Sequence, residues 1–206
     1  MQSKSRIVVA ISALLMVSAY FLPLWQIILE APQYPEGLGM KIWLNNITGN
    51  VDQINGLNHY IGMKHIIVDE FIEFKVLPYV FAGIIGLGLL TAQLGSRKLL
   101  WGWFSVLIAF AIIGFVDFYM WEYDYGHNLD PTAAIKVPGM SYQPPLIGYK
   151  QLLNFLAGSF PDTGGILVGI GGALAAGVLF FEQRLARKVK EADISAKSIK
   201  DIPVLV

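Results

Sequence analysis

His59, Met63, His65, His127 and Met140 carry the side chains of this sequence best suited to hold a soft metal ion. Three of them fall within His59-Tyr60-Ile61-Gly62-Met63-Lys64-His65. On a helix His59 and Met63 are one turn apart on the same face; on a strand His59, Met63 and His65 share a face. Imidazole combined with thioether suits Cu(I), because soft sulfur favours that ion whereas hard oxygen ligands favour Mg, Ca or Mn. Two further segments, Tyr123-Asp124-Tyr125-Gly126-His127-Asn128-Leu129-Asp130-Pro131 and Val137-Pro138-Gly139-Met140, contribute one ligand each. The candidate metal site is therefore His59, Met63, His127 and Met140, completed if the two regions fold over each other. His65, beside Lys64 and ahead of Ile66-Ile67, is the weakest of the histidines. Cysteine is absent, which excludes disulfides, thiolate zinc sites, iron–sulfur clusters and Cys-linked haem.

These residues must be positioned by a very apolar chain. Of 206 residues, 55% are hydrophobic and only 15% charged, too apolar for a soluble domain of this length. Four nearly uncharged stretches, about 7–28, 76–94, 99–121 and 163–181, are long enough to cross a hydrocarbon core of roughly 30 Å. The net charge of zero conceals an asymmetry: Lys4, Arg6, Arg97, Lys98, Arg184, Arg187, Lys188, Lys190, Lys197 and Lys200 fall on one side, with every arginine among them. By the positive-inside rule that side is cytoplasmic. The expected fold is an all-α, single-domain integral membrane four-helix bundle with both termini cytoplasmic. Two long loops on the opposite side, 30–75 and 122–162, and a cytoplasmic tail, 182–206, complete it, and all three histidines lie in the loops. The first stretch lacks a small-x-small cleavage site after Ile28 and reads as an uncleaved anchor kinked at Pro23.

Within this frame Gly95-Ser96-Arg97-Lys98 is short enough to demand an antiparallel hairpin of the second and third spans. Gly165, Gly169, Ala173 and Gly177 recur every four residues, a stripe that lets helices approach closely, either within the bundle or against another subunit. Asp117, four residues from the outer end of the third span, is a candidate ion or proton site, or a partner for Lys150. Asp69, Glu70 and Glu73, interleaved with apolar residues, suggest an amphipathic helix on the outer surface. The basic residues of the tail fit an anchor on anionic membrane lipid. Tyr142, Gln143, Pro144 and Pro145 lie in a proline-rich segment that offers a partner-binding surface or packs on the first loop.

No Gly-x-Ser-x-Gly, phosphate loop, His-Glu-x-x-His or dinucleotide fingerprint is present, so the chain does not read as an enzyme. It lacks the basic soluble domain expected of a nucleic-acid binder.

At Gly56-Leu57-Asn58-His59-Tyr60-Ile61-Gly62-Met63-Lys64, Trp121-Glu122-Tyr123-Asp124-Tyr125-Gly126-His127-Asn128-Leu129-Asp130-Pro131 and Tyr142-Gln143-Pro144-Pro145-Leu146-Ile147-Gly148, the chain resembles a family of small four-helix bacterial membrane proteins. Members of that family are encoded beside genes for maturing nitrous oxide reductase, a periplasmic copper enzyme. The resemblance implies a copper context and an accessory role facing the periplasm, with a copper chaperone or the copper enzyme as partner. A structural subunit of a larger transporter or respiratory complex, with no metal of its own, is the alternative reading.

Overall fold

The computed structural model describes residues 1–200; residues 201–206, the end of the expected tail, lie outside the described residues. Helix α1 (Ser3–Leu15) continues as a 3-10 turn over Met16–Tyr20 and stops. Pro23 disfavours helical geometry at the residue before it, and the chain leaves in extended form as strand β1 (Trp25–Ala31). The first apolar stretch is thus corrected: its last residues, Trp25 to Ile28, are strand, in keeping with their aromatic and β-branched content.

Beyond β1 follow β2 (Tyr34–Ile42), β3 (Ile47–Gly49), α2 (Val51–Ile61), α3 (Ile72–Leu94), α4 (Arg97–His127), β4 (Gly148–Leu152), β5 (Phe155–Pro161) and α5 (Thr163–Lys200). The strands form one antiparallel sheet in the order β3-β2-β1-β5-β4. The expected all-α class is therefore wrong: five helices and a five-stranded sheet make a mixed α/β architecture; the first long loop is largely regular structure, and the second carries β4 and β5 after an irregular stretch, 128–147. The sheet escapes a reading by hydropathy because its strands are short and interrupted by glycine. In Tyr34-Pro35-Glu36-Gly37-Leu38-Gly39-Met40-Lys41-Ile42 only Leu38 and Met40 mark the buried face. The outer segment at Asp69, Glu70 and Glu73 forms a single 3-10 turn, Val68–Glu70, followed directly by α3, in place of the expected surface helix.

Register assigns the sheet's inner face. Ile27 lies opposite Met40 and Ser159, and Leu29 opposite Leu38 and Ala157. Ile27, Leu38, Met40 and Ala157 are buried, forming with Ile54, Ile66 and Tyr125 a core between sheet, α2 and the end of α4. Gly49, at φ +105°, permits the tight closure of β3 on β2, since a Cβ there would sit 2.2 Å from the Gly39 carbonyl oxygen.

A second core holds the helices together and includes Val9, Ala13, Met16, Ile84, Leu100, Trp103, Ala175 and Val178. Four helical segments, Ser3–Tyr20, Ile72–Leu94, Arg97–His127 and Thr163–Ser195, are long and apolar enough to cross a membrane. Helix α1 is central to this layer: Ser12 Oγ donates 2.6 Å to the Gly171 carbonyl of α5, and Ala13 meets Gly88 of α3. Trp103, fully buried, lies flat on Gly88 and donates its indole N–H to the Ile84 carbonyl at 2.9 Å. As expected, α3 and α4 form a hairpin, turning at Gly95 with φ +64°.

At the hairpin end, Glu182 of α5 is 2% exposed and accepts 2.8 Å bonds from the Gln2 backbone N–H and from Arg97 Nε. At the sheet end, Asp162 accepts from the Thr163 N–H at 2.6 Å and pairs with Lys41 of β2 at 3.2 Å. Its partial desolvation is outweighed by those two partners, which hold the carboxyl below the usual aspartate range.

The stripe Gly165, Gly169, Ala173 and Gly177 divides. A Cβ on Gly165 would meet the Leu24 carbonyl oxygen at 2.1 Å, whereas Gly169, Ala173 and Gly177 are exposed, with open space beside both glycines. Close packing on α1 uses Gly171 and Ala175 instead.

Gly88→Ala should lower the stability of the purified protein by about 1–3 kcal/mol, because the added methyl would lie 2.7 Å from the Trp103 ring and 2.9 Å from Ala13 Cβ. Gly86→Ala, with nothing within 4 Å, should be neutral or stabilising by up to about 1 kcal/mol. Thermal midpoints in one detergent compare the two directly.

Candidate functional site

At 31 residues, α4 measures about 46 Å, against roughly 30 Å of hydrocarbon. Its last turns, from Glu122 to His127, pack into the layer built by the sheet and α2. There Trp121 and Tyr125 stack with Phe71 and Phe118, forming an aromatic floor beneath the strands. Above this floor lies a cavity of about 310 Å³. Sheet residues Ile27, Leu29 and Met40 line one wall, Ile54, Leu57 and Met63 another, and Tyr142 and Pro144 a third.

The two loops meet here through backbone bonds. Asp130 N–H donates 2.7 Å to the Gly62 carbonyl, Ile135 N–H donates 2.8 Å to Tyr60, and Tyr142 N–H donates 2.9 Å to Gly126. The last of these requires glycine: a Cβ on Gly126 would lie 2.4 Å from the Gln143 nitrogen, so residues 142–143 run directly over α4. Glu122, one helical turn below Gly126, is sealed by this crossing.

Glu122 is fully buried, and neither carboxyl oxygen has a hydrogen-bond partner. The Tyr142 hydroxyl and the Trp121 indole N–H are likewise buried without partners, and all three residues line the cavity. Lys150 is committed to the Gln143 carbonyl, to which it donates at 3.0 Å. The cavity therefore presents a carboxyl group, a phenol and an indole N–H within otherwise apolar walls.

The expected metal ligands separate into three places. Helix α2 ends at Ile61, and Gly62, at φ +79°, turns the chain so that Met63 enters the cavity wall while His59 stays on the exposed surface. His59 and His65 come together there, with ring centroids 6.0 Å apart, although His65 had the least support in the sequence. His127 stacks on Tyr123 at 4.0 Å, and its Nδ1 lies 3.1 Å from the Tyr123 carbonyl. A carbonyl only accepts, so Nδ1 donates, and Nε2 is the nitrogen left for a ligand. Met140 is partly buried at the Val137–Met140 turn, apart from the cavity lining. Among the described residues no three His, Asp or Glu side chains gather into one cluster.

Asp117 is exposed on α4, and Lys150 turns to Gln143 instead of pairing with it. Tyr142 and Gln143 are buried and Pro144 and Pro145 partly so; this segment packs on α4 and the cavity, leaving little free surface. Sequence reasoning missed Glu122, Trp121 and Met40 as site residues. The available signal was an acid placed directly after a long apolar run and flanked by Trp121 and Tyr125. No family model matches the chain, and no curated protein or solved structure matches it.

Proposed function

We propose that this chain is a bacterial inner-membrane accessory protein whose periplasmic layer binds or relays copper for the maturation of a periplasmic copper enzyme. The observation that carries the reading is the approach of His59 and His65 on an exposed edge. Two imidazoles sharing one ion through nitrogens about 2 Å from it have ring centroids about 5–6.5 Å apart. The observed 6.0 Å separation lies within that range, and two imidazoles suit a two-coordinate ion such as Cu(I). Exposure suits cargo that must be handed on. His127, with Nε2 free, offers a second exposed nitrogen in the same layer. The resemblance to proteins encoded beside nitrous oxide reductase maturation genes agrees with a copper chaperone or the enzyme itself as partner.

A scaffold subunit of a membrane transporter or respiratory complex is the second reading, favoured by the outward stripe Gly169, Ala173 and Gly177. Such a stripe offers another helix a close approach. Under that reading Gly169→Leu should abolish co-purification of the partner and leave the isolated protein folded.

For copper relay, an anaerobic Cu(I) titration against a competing chelator should give stoichiometric binding by the wild type. Affinity should fall at least tenfold in His59→Ala/His65→Ala, about 1.4 kcal/mol or more. Unchanged affinity in the double variant would remove these two ligands from the proposal.

A further inference from the structure

The cavity beneath the sheet has no part in the histidine edge, and its chemistry points elsewhere. Its volume, about 310 Å³, would admit about ten atoms at the roughly 30 Å³ that a water molecule takes in the liquid. Water alone is a poor occupant of the whole cavity, because most of these walls are Ile, Leu, Met and aromatic side chains that offer it no partner. Yet three polar groups, Glu122, Tyr142 and Trp121, have atoms buried there without a partner. Unpartnered polar groups within an apolar enclosure are costly to keep, unless an occupant pairs with them.

The kind of occupant follows from the donor inventory. Indole N–H can only donate, and phenol and carboxylic acid can both donate, so the complementary group is an acceptor oxygen. The rest of the occupant must be apolar to match the walls. It enters head first, because Glu122 and Tyr142 are buried while the lining residues Tyr60, Ile135 and Leu153 are 56%, 48% and 39% exposed and form an apolar mouth.

Leu153 completes the rim. Among the described residues it is the sole non-glycine with positive φ, at 55°, the conformation that the first position of the two-residue β4–β5 turn requires.

We infer that this cavity binds a lipophilic molecule of about ten non-hydrogen atoms that ends in a carbonyl oxygen, received by Glu122, Tyr142 and Trp121. A quinone ring and a medium-length acyl chain both have this chemistry.

The test uses full-length protein in phosphatidylcholine nanodiscs, which avoids detergent in the cavity, with menadione and decanoic acid as probes. The chain contains no cysteine for menadione to alkylate. Saturable quenching of tryptophan fluorescence and a ligand-induced rise in thermal midpoint are the readouts. Wild type should bind at least one probe; menadione alone identifies a ring, decanoic acid alone an acyl chain, and both support the shared carbonyl chemistry. Glu122→Met should bind at least tenfold more weakly while its unliganded midpoint rises, since an unpaired polar group has been removed. Tyr142→Phe, which deletes one oxygen, should weaken binding about three- to tenfold without loss of folding. Failure of both probes to bind overturns the inference, as does binding that neither substitution weakens. A fall in the unliganded midpoint of both variants would also overturn it, because the two groups would then be supports of the fold. Loss of copper binding in the histidine variants leaves all these outcomes unchanged, so the two proposals fail separately.

Discussion

The pairing of β1 with β5 is the constraint on which the rest of the molecule depends. It joins Trp25–Glu30 to Leu156–Pro161, segments from the two ends of the chain, and each strand leads directly to a membrane helix. Helices α1 and α5 continue the same contact below, where Ser12 bonds to Gly171. One side of the bundle is thus a continuous seam through both layers. Since β1 lies at the sheet's centre, β2 and β3 on one flank and β4 on the other have their positions through it. The cavity exists because this seam holds the sheet over the projecting end of α4.

That arrangement leaves two cores of different character. The helix core is tightly filled, with Trp103 against a glycine, and little could be added to it. The sheet core contains a void and three unsatisfied polar groups. A chain able to pack an indole to contact distance in one layer has kept space and uncompensated polarity in the other. Departures of this kind from good packing concentrate where a protein meets something else.

The helices were legible because membrane crossing demands long uncharged runs, and three of the expected stretches, 76–94, 99–121 and 163–181, lie within α3, α4 and α5. The hairpin at Gly95 followed from its brevity. The sheet was invisible for a physical reason: its strands show no regular alternation, with β2 broken by Gly37 and Gly39, β5 burying Ala157, Gly158 and Ser159 in succession, and β4 burying only Leu152. Trp25 to Ile28 were absorbed into a helix because hydropathy does not distinguish an apolar strand from an apolar helical turn. Residue spacing alone could not foresee that Gly62 would turn Met63 away from His59 and leave His65 as its neighbour. Glu122 falls within the expected loop 122–162, since helical continuation past Trp121 and the crossing at Gly126 are tertiary facts. Likewise the four-residue stripe on α5 was visible, but which neighbouring stripe faces α1 depends on helix rotation, and the buried line proved to be Gly171 and Ala175.

The distance along the chain between β1 and β5 also imposes an order in time. Residue 25 leaves the ribosome long before its partner, residue 161, has been translated. Contacts of such separation form late, after intervening elements are in place. The hydrogen-bonding edge of β1 that faces β5 must stay unsatisfied while α3 and α4 are inserted. An unpaired edge of this kind is open to pairing with other chains. The layer that carries every histidine is completed only when the final strand arrives, so a truncated or stalled chain would possess the histidine pair without the sheet that surrounds it.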